Sequence, residues 1–583
     1  MDQHNASYYF VEAGTAIDLQ QYTGSVEGAS LTEEQVVVFG KGAYVLPLNQ
    51  SSALVMTSLM EPDLVDEYGV DTGTGATESV GTLAQMGIIP ANGDEFPIYR
   101  YVHDLSAEGK VATVTGELPQ VEYKVYVHNA NGLDTNNAYS QDAPAKTIEH
   151  AFAQLSKRMS LAPEGAEATV VFMDLYELGS NGYTFPSHDY PVVLTSLTGA
   201  EGVTKSYLKD NGWFAFSGDV TLDNITIKAT TEQDYYYLFA NGHNLTVTDS
   251  VNTPATPKGH YFTICAGAYS NSAYGGNVEA DPVLQIYGGS WKYLYASSYV
   301  GTLIGNSTVI VDGASFEGIM VSYAAITQGN ISVSLKNTTV GQYQVYMGNG
   351  NKNNISGNVT LTLGENVTIT DLYMGSRDAG NVLGAVTIVQ DGADLSKINI
   401  HRGPKNTTAT VGKTVFGYKS GSTDPVSGYD LVRVWVEDSW HEIDAAITML
   451  SLKPSEVGFG YKAEFACSEA LQSMVTEQGY CLWLSEELTV KRHVKNFREK
   501  LTLRLADFDV ENYGSAKVNA KVYLTLSNGL VIESTVVSYS MQDMVELVDT
   551  RLATLSEQQI LALQTMLAKF TAPEGWNIPN LKG

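Results

Sequence analysis

The chain has 583 residues, 44% of them hydrophobic, and its 64 acidic residues outnumber 34 basic residues to give a formal net charge of −30. This surplus opposes contact with nucleic acid phosphates and anionic lipid headgroups, and no apolar run approaches the roughly 20 residues that cross a bilayer. We therefore predict no nucleic acid binding and no membrane insertion. The length predicts two to four domains, or one repeat domain with appendages.

Residues 1–120 are predicted to form a β-rich module. Their short apolar runs are separated by Gly and Asn, which favours a small β-sandwich, and the module loosely resembles the bacterial Ig-like modules of surface proteins. No apolar segment typical of a signal peptide follows Met1. The predicted strands are YYFVEAG, VVVFG, AYVLPL and ALVMTSL.

Residues 121–416 are predicted to form the central domain, which opens with a capping element between Val125 and Met159. This segment reads as a strand, a polar loop and an amphipathic helix. We expect the helix to cover the open end of the sheet that follows, because unpaired strand edges invite aggregation. The apolar stripe of the helix comprises Ile148, Ala151, Phe152 and Leu155.

A repeat of alternating apolar and polar residues runs through this domain. Its units start at Val220, Leu245, Leu284, Val309, Val333, Leu361 and Ile388, at intervals of 25, 39, 25, 24, 28 and 27 residues. Propeller blades need about 40 or more residues each, so these units are too short for a propeller. The interval fits one coil of a parallel β-helix, in which inward side chains of stacked coils form apolar columns. Corners of the coil are expected at Gly-Gly 288, Asp-Gly 312 and 391, and Lys-Asn 336.

The opening of this domain resembles a known superfamily. A strand and a Gly/Asp/Asn loop precede Ala-Lys-Thr-Ile at 145–148, and the strands ATVVFM and YPVVLTSL follow the helix. This order is similar to that of the pectin-lyase-like superfamily of right-handed parallel β-helix proteins, over about residues 122–410. The resemblance implies the fold and little about activity, because lyases, hydrolases, tailspikes and adhesins share it.

Residues 417–583 are predicted to form an α+β module after the polar link at 419–430. LVRVWVE reads as a strand, WHEIDAAITML as a helix, and Asn528-Gly529 suits a two-residue type I′ hairpin turn. Ser556 and Gln559 fit a capping box at the start of a last helix. The module is similar to C-terminal domains in cell-surface proteins of Gram-positive anaerobes.

An outward row of large side chains is the strongest candidate binding site. If Leu294, Ile319, Val345 and Leu372 point into the coil, the residues that follow them point outward. Such rings could stack on sugars, although they could equally stabilise parallel strands in register or be covered by a neighbouring chain or domain. The row comprises Tyr295, Met320, Tyr346 and Tyr373, and Trp291 and Tyr293 could extend it.

Signs of catalysis are weak. A β-helix lyase needs a base beside carboxylates that hold calcium, but Lys292, Lys336, Arg377, Lys397 and Arg402 fall at different offsets of the repeat. Turn chemistry explains Asp312 and Asp391, and we interpret His188-Asp189 as a structural loop. We predict no catalytic residue and no metal or other cofactor, with Ca²⁺ left as an open alternative. Cys467 and Cys481 could form a disulfide or remain free thiols.

Together these features predict a mainly β, secreted or cell-surface protein of a Gram-positive bacterium. The favoured function is a non-catalytic, adhesin-like or carbohydrate-binding stalk whose partner is a glycan. The alternative is a polysaccharide lyase or glycoside hydrolase that acts along one face of the β-helix. A third hypothesis gives the protein a purely structural role.

Overall fold

The structure, a computed structural model, describes residues 123–159 and most of 165–540, with short strands before residue 114 and isolated residues between 543 and 565. Within 165–540 it leaves out 179–181, 198–202, 206–211, 230–235, 256–258, 260, 269–276, 407, 423–424, 450–458, 485–489, 495 and 506–516. The fold is mainly β, and its parallel strands form a right-handed-type β-helix, or β-solenoid, of about eight turns. The chain divides into two compact units, Met1–Glu317 and Gly318–Gly583, within the strand Ser315–Ser322.

In the first unit, four stacks of parallel strands build the solenoid, and the largest is sheet 1. Its strands pair in register, so that Val220 aligns with Leu245, Leu245 with Leu284, and Leu284 with Val309. These four side chains are buried, which confirms the predicted repeat and its apolar column. The strands of sheet 1 in this unit are Tyr123–Val127, Ala168–Phe172, Val192–Ser196, Val220–Leu222, Leu245–Val247, Val283–Ile286 and Ser307–Asp312.

Sheet 2 and shorter parallel stacks complete the turns of the first unit. Sheet 2 contains Tyr183–Thr184, Gly212–Ala215, Tyr236–Phe239, Thr263–Cys265 and Ser290–Tyr295. The shorter stacks contain Tyr176–Leu178, Val203–Lys205 and Lys228–Ala229, and then Asn277–Glu279 and Val300–Ile304.

The predicted capping helix is present at Ile148–Met159. It contacts the first two strands of sheet 1, Tyr123–Val127 and Ala168–Phe172. Because an apolar stripe on a helix must be covered, the helix buries that stripe against the sheet. All four predicted residues of the stripe are buried: Ile148, Ala151, Phe152 and Leu155.

The second unit has the same two kinds of parallel sheet. In its sheet 1, Val333 aligns with Leu361, Leu361 with Ile388, and Ile388 with Phe416. The parallel strands here are Ile331–Lys336, Val359–Leu363, Val382–Asp391, Val411–Ser420 and Leu431–Val436, followed by the antiparallel strands Ser439–Met449, Phe459–Cys467 and Lys500–Leu505. Sheet 2 comprises Ser315–Ser322, Val345–Asn349, Asp371–Tyr373 and Asn399–His401. Between these strands lie two short strands, Ala324–Gln328 and Thr339–Val340, and the 3₁₀ helix Leu395–Lys397.

The predicted corners of the coil adopt left-handed backbone conformations. Gly313 and Gly392 follow their Asp residues with φ of 103° and 104°, and Asn337 has φ of 46°. Glycine adopts this region without strain and asparagine more readily than most residues, so the turn chemistry explains why these residue types recur at the corner. Asp391 accepts hydrogen bonds there from Lys419 and Ser420 at 3.0 and 2.7 Å.

The second unit also contains a further sheet, distinct from sheets 1 and 2, and a short helix. The sheet contains Val426–Ser427, Val531–Glu533, Val518–Leu526, Val475–Trp483, Val490–Val494 and Val537–Tyr539. The helix Glu469–Met474 is capped by the Ser468 side chain, which accepts from the Leu471 amide. Gln559 of the predicted capping box lies outside the described residues. All three cysteines, Cys265, Cys467 and Cys481, are free thiols.

Two local predictions in this region were wrong. The segment WHEIDAAITML is not a helix: its residues 440–449 lie in the strand Ser439–Met449, which pairs antiparallel with Leu431–Val436 and Phe459–Cys467. The loop at Asn528-Gly529 has three residues rather than two, because Thr525 aligns with Val531 and the Leu526 amide donates to the Leu530 carbonyl. Gly529 has φ of 86°, as expected for a three-residue hairpin loop that ends in a bulge.

Short antiparallel strands are described near the N-terminus. Tyr9–Phe10, Tyr44–Pro47, Val36–Phe39 and Tyr99–Arg100 form one sheet, and Ala16–Asp18 pairs with Val111–Thr113. The predicted strand ALVMTSL lies outside the described residues. The β-sandwich predicted for residues 1–120 stays a prediction.

Candidate functional site

In the second unit, sheet 2 carries a column of large side chains, which we call the ladder. Two of them were predicted to be exposed but are buried, since Met320 is 0% and Tyr346 2% exposed, whereas Tyr373 is half-buried. Met320 aligns with Tyr346, Tyr346 with Tyr373, and Tyr373 with His401 in successive parallel strands. Ile319, Val345 and Leu372, which precede the first three, are buried on the opposite face. The strand register therefore places the predicted residues Met320, Tyr346 and Tyr373 in one column and adds His401.

The ladder rings stack on one another along the column. The Tyr346 and Tyr373 centroids are 5.1 Å apart with an angle of 14° between planes, and the Tyr373 and His401 centroids are 4.2 Å apart with an angle of 10°. Parallel strands about 4.8 Å apart impose this spacing on rings at the same register. Both faces of Tyr373 are thus occupied by neighbouring rings, and a ligand would meet its edge.

The exposed end of the ladder is surrounded by polar groups. His401 Nε2 lies 2.9 Å from Asp371 Oδ1, and the two side chains are 43% and 22% exposed. Gln344 donates to the other Asp371 oxygen at 3.3 Å and accepts from the Tyr346 hydroxyl at 2.6 Å. The hydrogen bond from His401 holds the pKa of the Asp371 carboxyl below its ordinary value, so this carboxylate is ionised at neutral pH.

Lys405 supplies a cation beside the ladder. Its Nζ lies 5.9 Å from both the Tyr346 and the Tyr373 ring centroids, and it approaches the Tyr346 hydroxyl at 3.3 Å and Gln344 Oε1 at 3.4 Å. Burial raises the pKa of the Tyr346 phenol, and the Lys405 charge opposes this rise. An ammonium group has three donors, so one N–H of this exposed lysine has no partner among the described residues.

The other predicted ligand residues lie in sheet 2 of the first unit. Trp291 and Tyr295 are buried, and the Trp291 indole donates to the Gly288 carbonyl at 3.1 Å. Tyr295 packs against the half-buried Tyr293 at 5.9 Å and edge-on against Tyr299 at 5.5 Å. These rings contact one another here, and their part in ligand binding stays a prediction.

His188 has the contacts of a structural residue. Its two ring nitrogens lie 2.9 Å from the Pro186 carbonyl and 3.2 Å from the Asp219 carbonyl. The ring also packs between Phe152 and Tyr190, with centroids 5.4 and 5.6 Å away. Because both nitrogens contact backbone oxygens, the imidazole holds the loop in place, in agreement with our interpretation of this segment.

The described part of the chain has neither a cluster of metal ligands nor a helix suited to a membrane. There, no three His, Cys, Asp or Glu side chains come close enough together to hold a metal ion. Within the same residues, no helix has the length and apolar character needed to cross a membrane.

The repeat interval of the sequence indicates a place for His401 in the ladder. His401 follows Tyr373 by one repeat interval and occupies the same outward position. Asp371, Gln344 and Lys405 carried no comparable signal, because their side chains converge through loops and strand ends rather than through the repeat. The site that results is a stacked column with a charged, hydrogen-bonding rim.

These features define a β-solenoid protein with an aromatic column on an outer sheet face. Comparison with protein-family profiles, with curated proteins and with solved structures found no match.

Proposed function

We propose that this protein is a non-catalytic, adhesin-like carbohydrate-binding protein of the pectin-lyase-like superfamily, secreted or displayed on the surface of a Gram-positive bacterium. The observation that carries the proposal is the exposed end of the ladder. There an imidazole, a carboxylate, an ammonium and an amide lie together beside the half-buried ring of Tyr373. Strands of sheet 2 hold the carboxylate of Asp371 and the imidazole of His401 in place, so these two groups need little ordering when a ligand binds.

The chemistry of this rim suits sugar hydroxyls. Asp371 and Gln344 offer acceptors, and Lys405 offers a donor that has no partner among the described residues. Because the faces of Tyr373 are covered by Tyr346 and His401, the sugar would contact the edge of the Tyr373 ring and the exposed imidazole instead of stacking on tyrosine. This geometry favours a polar glycan surface over an apolar ligand.

A glycan array followed by titration of the strongest oligosaccharide tests this function. Lys405→Gln should weaken binding about tenfold or more, because one charge-assisted hydrogen bond contributes about 1.5–3 kcal/mol. The matched control is Lys462→Gln, which changes an exposed lysine of the strand Phe459–Cys467 in sheet 1. Equal affinity of the two variants, or an array without signal, would count against glycan binding at the ladder.

The alternative function is a polysaccharide lyase or glycoside hydrolase. The Asp371–His401 contact favours it, because it joins a carboxylate and an imidazole that could transfer protons, but the lowered pKa of Asp371 makes this carboxylate a weak base. A glycosidase needs a second carboxylate at a defined separation, however, and no such partner adjoins this pair among the described contacts. Incubation with uronate-containing and neutral polysaccharides, with and without Ca²⁺, separates the two functions. Sustained formation of unsaturated products or reducing ends that Asp371→Asn abolishes would establish the enzyme.

A further inference from the structure

A cavity of about 360 Å³ lies in the second unit, apart from the ladder rim. It adjoins Ile400 of Asn399–His401, the last strand of sheet 2, and its volume falls within the range of small-molecule sites. Its walls combine two aromatic rings, a guanidinium, an amide and hydroxyl groups. The lining residues used below are Gln390, Arg402, Phe416, Ser422 and Tyr429.

The cavity forms where an apolar column of sheet 1 turns polar. Leu335 aligns with Leu363, Leu363 with Gln390, and Gln390 with Tyr418. Gln390 is only 2% exposed. Its Nε2 donates to the Ala393 carbonyl and the Ser422 hydroxyl, each at 2.9 Å. The amide oxygen has no partner among the described residues and remains an acceptor for a ligand.

Arg402 is held in one position at the wall of the cavity. Its Nη1 donates to the Ser427 carbonyl at 2.6 Å, and its guanidinium carbon lies 5.6 Å from the Tyr429 ring centroid. A Cβ at Gly428 would lie 1.5 Å from Nη1, and Gly428 has φ of 77°. Glycine is therefore required at position 428 for two reasons: the backbone conformation is left-handed, and the guanidinium leaves no room for a Cβ.

The guanidinium retains most of its hydrogen-bonding capacity. Arginine has five N–H donors, and the described contacts of Arg402 use one of them. Planar donors of this kind pair with a carboxylate through two parallel hydrogen bonds. A fixed arginine beside a cavity therefore selects an anionic group of that shape.

The two rings supply an apolar wall beside the guanidinium. Phe416 and Tyr429 have centroids 5.4 Å apart at an angle of 46°. Burial raises the pKa of the Tyr429 phenol to about 12, so it stays neutral and can donate a hydrogen bond at physiological pH. Aromatic walls of this kind contact the C–H groups of a saturated ring while polar neighbours bind its substituents.

We propose that this cavity binds a sugar ring that carries a carboxylate, that is, a uronic acid residue. Arg402 pairs with the carboxylate, Phe416 and Tyr429 contact the ring, and Gln390 and Ser422 bind its hydroxyls. The site is separate from the ladder rim, and the proposal does not depend on glycan binding there. The chain's net charge of −30 disfavours anions at long range, so recognition rests on local pairing with Arg402 and weakens as salt is added.

The test compares matched ligands on the full chain. Methyl glucuronide and methyl galacturonide are titrated against methyl glucoside and methyl galactoside by ligand-observed NMR, at low and at physiological salt. We expect one uronide to bind saturably and at least tenfold more tightly than its neutral partner, with affinity falling as salt rises. No saturable uronide binding, or equal affinity for the neutral sugar, overturns the proposal without any variant.

Variants then assign the site. Arg402→Gln should reduce uronide affinity to that of the neutral sugar, and Ser422→Ala should weaken both ligands alike; thermal unfolding reports whether each variant is folded. Lys462→Gln, at an exposed lysine outside both sites, should leave uronide affinity unchanged. Retained selectivity in folded Arg402→Gln, or its loss in Lys462→Gln, would place the uronide outside this cavity. A glycan-array signal that Lys405→Gln abolishes but Arg402→Gln does not would support the ladder function alone.

Discussion

The substitution Leu361→Ala tests whether stacked aliphatic columns stabilise the solenoid. Leu361 is 0% exposed and aligns with Val333 on one side and Ile388 on the other, both also buried. Backbone hydrogen bonds of the parallel strands fix these two β-branched neighbours, so they cannot move in to fill the space. Leu→Ala changes at buried sites that relax poorly cost about 3–5 kcal/mol, and we expect a value in the upper half of that range.

The assay must measure the stability of the mutated turn itself as well as that of the whole chain. Each turn contacts only its neighbours, so unfolding need not be two-state, and native-state hydrogen exchange of Val359–Leu363 is read alongside urea denaturation. Thr362→Ala on the same strand is the control, because Thr362 is only half-buried on the opposite face and should cost less than about 1 kcal/mol. Similar losses of protection in Leu361→Ala and Thr362→Ala would refute the column argument.

Three further predictions concern the two candidate sites. Tyr373→Ala should lower the free energy of unfolding in urea by about 1–3 kcal/mol through loss of two ring contacts, whereas Tyr373→Phe should retain it; equal stability of all three proteins would contradict a stabilising ladder. The pKa of Asp371 is depressed by its hydrogen bond from His401, so the stability lost in Asp371→Asn should be fully present above about pH 4 and vanish as pH falls through the lowered pKa. A difference that stays constant down to pH 2 would argue against this pairing. Gly428→Ala should lower both Tm and uronide affinity by displacing Arg402, and its effect on Tm should be smaller in an Arg402→Gln background; equal effects in both backgrounds would show that the guanidinium does not rest on Gly428.

The register of the solenoid could be predicted because it repeats a local pattern. Alternation places Leu361 and Ile388 inward, and a slip of one residue would turn every apolar side chain outward. The units starting at Val333, Leu361 and Ile388 align as predicted, since burial of a common column permits one register. Corners were predictable for a similar reason, because the left-handed conformation restricts the residue types that can occupy them.

The strand at Ser439–Met449 was missed because its pairing partners are distant in sequence. Ile443, Ala445, Ile447 and Met449 alternate at period two, but the segment also contains good helix formers. A sheet edge at Leu431–Val436 was open to receive it, and the left-handed residues Glu437 and Asp438 form the tight turn between the two strands. Tertiary pairing decided between two locally acceptable structures.

The ladder was predictable as a column, but its chemistry was not. Repeat offsets assign Tyr346 and Tyr373 to one outward row, yet they do not say whether the rings lie flat on the sheet or stack along it. The stack depends on side-chain torsions and on Lys405, which reaches the column from a loop. A sequence can therefore indicate aromatic rings at a surface without showing that their faces are already occupied.

The cavity shows how a departure from a repeat can mark a site. Inward positions that hold leucine in the preceding turns hold Gln390 at this one, and a polar group among aliphatic columns costs stability unless it is hydrogen-bonded. Gln390 satisfies only its donor side within the protein. Arg402 likewise departs from what folding requires. Its guanidinium fits only because residue 428 is a glycine, whereas a smaller side chain at position 402 would not impose this restriction. Two such departures on one cavity are costly for folding alone, and a ligand that binds both groups accounts for them together.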